Sequence, residues 1–66
     1  MKILIIEDEK SLSESIVSFL STKDYVCEQA FSCSEASMKI GLYQYDCILL
    51  DLMLPDGNGL DLFHEI

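Results

Sequence analysis

The chain has 66 residues, is 50% hydrophobic, and carries a formal charge of −8 from 12 acidic and 4 basic side chains. A chain of this length forms at most one domain and buries only about 60% of its unfolded surface, yet it is too apolar for a disordered tail. The shortage of Lys and Arg argues against direct nucleic-acid binding by this segment. A cation is the more natural ligand, although a solvated acidic surface explains much of the charge equally well.

The cysteines and the apolar runs indicate the compartment. The three cysteines are odd in number and form no CxxC pair, so free, reduced thiols are the expected state, which points to the cytoplasm. The start of the chain lacks the charged-then-apolar pattern of a signal peptide. Its longest apolar run falls far short of the roughly 18 residues that a membrane span needs. We therefore expect a soluble, cytoplasmic chain with no membrane partner.

The first predicted βα unit is the clearest. Residues 2–6 form an almost unbroken apolar run typical of a strand buried on both faces, and the acidic residues 7–9 end it. A helix is predicted over 11–22, with Ser11 and Glu14 forming a capping box. Its apolar face would contain Leu12, Ile16, Phe19 and Leu20.

The second unit has weaker signals. Residues 25–31 are partly alternating, with β-branched and aromatic side chains, which predicts a strand nearer the sheet edge. Ser32 and Glu35 repeat the capping box, so a second, short helix begins there. Gly41 is placed to close that helix. Its buried face would contain Ala36, Ile40 and Tyr43.

The third unit begins with the apolar residues 47–50, which predict a strand that stops at Asp51. Residues 52–59 contain one proline and two glycines and indicate a compact turn. A third helical stripe then begins with Leu60, Phe63 and Ile66. The order βαβαβα with apolar central strands predicts an α/β fold with a parallel sheet, right-handed crossovers and the strand order 2-1-3.

Acidic residues follow two strands of this predicted sheet. Glu7, Asp8 and Asp51 come just after strands one and three, and the carboxyl ends of parallel strands meet at one edge, where open α/β sheets bind ligands. Mg²⁺ uses carboxylates, waters and phosphate oxygens. Asp8 and Asp51 suit direct ligation, the Met53 backbone carbonyl could add a third oxygen, and Glu7 could act through water. The alternative is a helix-capping acidic turn with no ligand.

Asp51 is the better nucleophile candidate. A carboxylate can attack phosphorus and carry an aspartyl phosphate, while a metal offsets the charge on the phosphoryl oxygens. Asp51 stands alone at a strand end before a glycine-containing turn, whereas Asp8 has acidic neighbours on both sides.

These two segments, ILIIEDE at residues 3–9 and ILLDLMLPDGNGLDL at residues 48–62, strongly resemble bacterial two-component receiver domains. The resemblance covers the whole chain and implies a flavodoxin-like fold, with residues 1–66 as its first three βα units. It implies that Asp51 accepts a phosphoryl group from a sensor histidine kinase, that Asp8 and the Met53 carbonyl bind Mg²⁺, and that Glu7 helps through water. Pro55 and Gly59 match the turn positions of that family.

The same resemblance shows what residues 1–66 lack. Receiver domains have five strands, with a Ser or Thr after strand four and a Lys after strand five, and neither position is present in this sequence; nor is an output domain. The resemblance implies a signalling module rather than an enzyme. Because the Lys and the hydroxyl are absent, we expect little stable phosphorylation of residues 1–66 in isolation. The rival hypothesis is a half-domain without phosphotransfer activity that acts in interaction or self-association through the unpaired edge of strand three.

Other motifs are weaker. The segment 57–62 has two glycines of the dinucleotide fingerprint but Leu62 at the third position. A calcium loop beginning at Asp56 would need a ligand where Leu60 stands and a glycine where Asp61 stands. An aspartyl phosphohydrolase would want an acid at Met53. The single histidine, His64, is expected on a helix surface.

Overall fold

The computed structural model describes residues 1–51 and 53–58. Three strands, β1 (Lys2–Ile6), β2 (Val26–Ala30) and β3 (Cys47–Leu50), alternate with two helices, α1 (Lys10–Ser21) and α2 (Cys33–Leu42). Two short strands, β4 (Met53–Leu54) and β5 (Gly57–Asn58), follow. The third helix predicted from Leu60, together with Gly59 and His64, lies outside the described residues. Within the described part, no helix is both long and apolar enough to cross a membrane.

The three main strands form a parallel sheet in the order β2-β1-β3, which confirms the predicted topology. Ile6 pairs with Ala30 on one side and with Leu50 on the other, so all three strands end at the same level. The central strand is almost wholly enclosed, because residues 3–6 are at most 3% exposed. This is the burial that an apolar run between two parallel neighbours requires.

One face of the sheet carries the main core. Its buried members are Leu4, Ile6, Ala30, Ala36 and Leu54. These residues come from β1, β2, α2 and β4, so the core joins the second crossover helix to the segment that follows β3. Leu54 thereby fixes β4 against the body of the fold.

Helix α1 begins one residue earlier than predicted, and its predicted capping box is wrong. The N-cap is Glu9, which makes no side-chain capping hydrogen bond, and Ser11 and Glu14 lie inside the helix. The carboxylate of Glu7 accepts a hydrogen bond from the Glu9 N–H at 3.0 Å, so an acidic side chain before the helix closes this turn. Ser13 is fully buried and accepts a hydrogen bond from Gln29 Nε2 at 3.0 Å.

The apolar face predicted for α1 packs only in part. Ile16 and Leu20 are half-buried, whereas Leu12 is 44% exposed and Phe19 is 61% exposed. The described part of the fold therefore leaves apolar surface of this helix accessible.

Helix α2 confirms one predicted end and corrects the other. Ser32 is the N-cap, and its hydroxyl accepts a hydrogen bond from the Glu35 N–H at 3.1 Å. Gly41 does not close the helix, which continues to Leu42. The chain leaves the helix at Tyr43 in an extended conformation, with φ of −130°, so no left-handed glycine is needed there.

The turn predicted after Asp51 contains a small hairpin. Leu54 pairs with Gly57 and Met53 with Asn58, which leaves Pro55 and Asp56 as a two-residue loop. Proline fixes φ near −65° and therefore excludes the primed turns that usually join such short strands. Because a two-stranded ribbon of this size is marginally stable at best, contacts outside the hairpin must hold it.

Candidate functional site

The structure brings the three predicted acidic side chains together. One carboxylate oxygen from each of Glu7, Asp8 and Asp51 lies within 4.8 Å of the others. Glu7 and Asp51 are half-buried and Asp8 is exposed. The three side chains form the acidic cluster at the carboxyl-terminal edge of the sheet.

The sheet itself sets the spacing of this cluster. Because Ile6 and Leu50 are register partners, the residues that follow them, Glu7 and Asp51, leave the sheet side by side. Backbone hydrogen bonds continue one step beyond the strands. The Asp51 N–H donates to the Ile6 carbonyl at 2.9 Å, and the Glu7 N–H donates to the Ala30 carbonyl at 3.0 Å. The backbones that carry these two carboxylates are therefore fixed by strand pairing.

Electrostatic repulsion within the cluster is visible at Glu7. The hydrogen bond from the Glu9 N–H lowers the pKa of the Glu7 carboxyl. Burial and the neighbouring charges of Asp51 and Asp8 act in the opposite direction, and together they raise this pKa above its ordinary value. Three carboxylates held at this spacing favour a bound cation.

An open depression of about 180 Å³ adjoins the cluster. Glu7 and Asp51 line it on the polar side. The remaining walls are apolar side chains of β1, α1 and β3, namely Ile5, Ile6, Ile16, Leu49 and Leu50. A small charged group that enters from solvent can therefore reach Asp51.

The site also has a feature that the sequence did not indicate. The carboxylate of Asp56, in the hairpin loop, accepts hydrogen bonds from the backbone N–H groups of Cys33 at 2.5 Å and Ser34 at 2.9 Å. These hydrogen bonds lower the pKa of the Asp56 carboxyl. The partners are more than 20 positions apart along the chain, so no local pattern could have identified them. Met53, the predicted carbonyl ligand, begins β4 in the same hairpin.

A second polar cluster lies at the opposite end of the sheet. The Tyr45 hydroxyl donates to Glu28 Oε1 at 2.8 Å, and Lys2 Nζ lies 3.3 Å from Glu28 Oε2. The Tyr45 hydrogen bond lowers the pKa of Glu28, while burial and the Glu28 charge raise the pKa of Tyr45 to about 12. This cluster joins the starts of β1 and β3 to β2 and is remote from the acidic cluster.

A family model and several known proteins match this chain, and these matches agree with one another. The family model described as the response regulator receiver domain matches residues 3–66. The chain is 45% identical over 62 residues to the transcriptional regulatory protein PmrA of Pectobacterium parmentieri, covering 94% of the chain and 28% of that protein. It is 38% identical over 66 residues to the transcriptional regulatory protein DltR of Streptococcus agalactiae, covering 100% of the chain and 30% of that protein. The chain thus spans less than a third of these relatives.

Two solved structures share the fold. The response regulator protein TrrA of Thermotoga maritima, solved in complex with Mg²⁺ and BeF, matches with a TM-score of 0.93 and 31% identity, over 98% of this chain and 56% of that one. The non-phosphorylated HemR receiver domain of Leptospira biflexa matches with a TM-score of 0.85 and 41% identity, over 96% of this chain and 51% of that one. Both of these sequence identities extend over nearly the whole of the present chain.

Proposed function

Since this chain belongs to the response regulator receiver domain family, we propose that Asp51 accepts a phosphoryl group from a sensor histidine kinase of a two-component system. The observation that supports this most directly is the position of Asp51: it is half-buried, beside two further carboxylates, at the open depression. Receiver domains are signalling modules, and we assign this chain that role rather than that of an enzyme.

The proposed reaction is a displacement at phosphorus. A carboxylate oxygen of Asp51 forms the new O–P bond, the N–P bond to the histidine of the kinase breaks, and the imidazole nitrogen keeps the electron pair. Asp51 is better placed for this attack than Asp8, because the hydrogen bond from its backbone N–H to the Ile6 carbonyl fixes the backbone that carries the carboxylate.

The acidic cluster fits Mg²⁺, which prefers hard oxygen ligands and retains several waters. We assign direct ligation to Asp8 and Asp51, a third oxygen to the Met53 carbonyl, and contact through water to Glu7. The Mg²⁺–BeF complex of the Thermotoga relative supports this choice of ion. When bound, the ion would offset the negative charge of the phosphoryl oxygens next to the carboxylates.

A phosphodonor assay tests this proposal. The chain is mixed with a phosphoramidate in the presence of Mg²⁺, the reaction is quenched rapidly, and the intact mass is measured. Although little stable phosphorylation of residues 1–66 is expected, rapid quenching should capture a transient gain of one phosphoryl group that EDTA prevents. Asp51→Asn should abolish the gain. Glu14→Gln, which removes an equal charge from an exposed position on α1, should retain it. Because an aspartyl phosphate can be short-lived, Mg²⁺-dependent binding of beryllofluoride, followed through the Asp51 amide resonance, provides a second measurement. Failure of both in the wild type would refute the proposal.

The remaining assignments concern partners and location. The formal charge of −8 supports the proposal that this segment makes no direct contact with nucleic acid. The three cysteines, Cys27, Cys33 and Cys47, are not joined by disulfides, which supports a cytoplasmic location, where cysteines stay reduced. Histidine kinases are the natural partners, because receiver domains interact with them.

Self-association through β3 is a second candidate property. Within residues 1–51 and 53–58, β3 pairs on one side only, and its Leu49 is 41% exposed. Such an apolar edge can pair with a second copy of the chain. Sedimentation should show a concentration-dependent dimer that Leu49→Lys weakens. The control is Val26→Lys on β2, the opposite edge strand, where the native Val26 is 60% exposed. This substitution should leave the dimer intact. A monomer at all concentrations would contradict this assignment.

A further inference from the structure

The hairpin that follows the phosphoryl acceptor is fixed to the N-terminus of α2. The first backbone N–H groups of any helix have no partner within the helix. In α2 the Ser32 hydroxyl supplies an acceptor for the Glu35 N–H. The acceptors for the Cys33 and Ser34 N–H groups come from the two carboxylate oxygens of Asp56. Helix α2 is therefore capped jointly by its own N-cap and by a residue of the distant hairpin.

Two further contacts place the hairpin against the same helix. Leu54 is 9% exposed and lies in the core cluster that contains Ala36 of α2. A Cβ atom at Gly57 would lie 3.1 Å from Cys33 Sγ, so the loop passes directly over the first turn of α2. The position of the hairpin is thus set by α2 and the core, through contacts other than the backbone hydrogen bond that holds Asp51.

The segment between these two anchors is short. Asp51 is bound to β1 through the Ile6 carbonyl, and β4 begins two positions later at Met53. Contacts that fix the position of the hairpin therefore also fix the position of the Met53 carbonyl relative to the Asp51 carboxylate. Groups that orient metal ligands from outside the coordination sphere affect metal affinity strongly.

We propose that Asp56 is a positioning residue for the phosphoryl-acceptor site: by fixing the hairpin to the N-terminus of α2, it sets the distance between the Met53 carbonyl and the Asp51 carboxylate. This inference rests on the proposed function. It assigns Asp56 no contact with the metal or with the phosphoryl group. It also makes the start of α2 part of the structure that supports the site.

The test compares two ways of removing a cap from the same helix. Asp56→Ala removes both hairpin hydrogen bonds, whereas Ser32→Ala removes the internal cap and leaves the hairpin in place. Both variants should lower the melting temperature. Only Asp56→Ala should raise the Mg²⁺ dissociation constant, by about tenfold, the lower end of the range for outer-sphere partners of metal ligands. Asp56→Asn retains one acceptor oxygen and should give an intermediate value.

Calorimetric titration of the full chain with Mg²⁺, below the melting transition of every variant, gives these dissociation constants, and beryllofluoride binding provides a second measurement. Equal increases for Asp56→Ala and Ser32→Ala, or no increase for either Asp56 variant, would overturn the inference while leaving the proposed function standing. If the wild type binds neither Mg²⁺ nor beryllofluoride, the proposed function fails and the inference fails with it. Should Asp56→Ala not fold, the comparison of Asp56→Asn with Ser32→Ala decides the question.

Discussion

Removing one charge from the acidic cluster should have opposite effects with and without Mg²⁺. Asp8 suits this experiment because it is exposed and Asp8→Asn preserves its shape. Its carboxylate lies within 4.8 Å of those of Glu7 and Asp51. In water, two unit charges at that distance repel by about 0.9 kcal/mol, and screening at 0.1 M salt reduces this to about 0.5 kcal/mol. Two such repulsions make the expected stabilisation by Asp8→Asn about 1 kcal/mol in EDTA.

Mg²⁺ should reverse this order. At a free concentration about one hundred times its dissociation constant, the ion stabilises the wild type by about 2.7 kcal/mol. Because we propose that Asp8 is a direct ligand, Asp8→Asn should lose most of that gain. Thermal unfolding in EDTA and in Mg²⁺ measures both effects, and a change of 1 kcal/mol corresponds to about 4–8 °C in a domain of this size. Glu14→Gln should behave like the wild type in both conditions. If Asp8→Asn is less stable than the wild type in EDTA, or keeps the full Mg²⁺ response, the electrostatic reasoning is wrong.

Three further predictions concern stability. The stabilisation by the Tyr45 hydroxyl should be fully present below pH 10, its ordinary pKa, and should be lost as the pH rises towards about 12, its pKa in the fold. Urea unfolding across this range should show a decline in the free energy of unfolding, and Tyr45→Phe should remove that decline. If the decline is unchanged in Tyr45→Phe, the Glu28 hydrogen bond is not its cause. Leu54→Ala should cost about 2–3 kcal/mol in urea unfolding because the side chain lies in the core, and a loss below about 1 kcal/mol would contradict its anchoring role. Gly41→Ala should stabilise α2 by up to about 1 kcal/mol, since an added Cβ meets no atom within 4 Å; a lower melting temperature would count against this.

The sheet and the acidic cluster were predictable because their causes are local. An unbroken apolar run at residues 3–6 has few other structures available in a chain of this length, and parallel strands bring their carboxyl ends to one edge. The strand order followed from relative apolarity, and the spacing of Glu7 and Asp51 followed from the strand order. The N-cap of α2 was predictable for the same reason, since Ser32 and Glu35 are three positions apart.

Both errors concern the position of a helix end. The Ser11–Glu14 pattern matched a capping box, but the Glu7 carboxylate binds the Glu9 N–H, and the helix begins earlier. Gly41 was a plausible helix end, yet Tyr43 leaves the helix in an extended conformation. Short polar patterns are compatible with several helix ends of similar free energy, and hydrogen bonds and backbone angles of residues just outside the pattern decide among them.

Asp56 shows how this limit bears on function. In the sequence it is one more acid in a turn, indistinguishable from a solvated loop residue. In the fold it caps a helix that begins 23 positions earlier in the chain. The acidic cluster needs a rigid frame, because its carboxylates repel one another and would separate if the backbone allowed it. Strand pairing supplies that frame for Glu7 and Asp51, but β4 and β5 are too short to hold themselves. The hairpin therefore depends on α2, and a site that looks like a property of two strand ends requires the second helix as well.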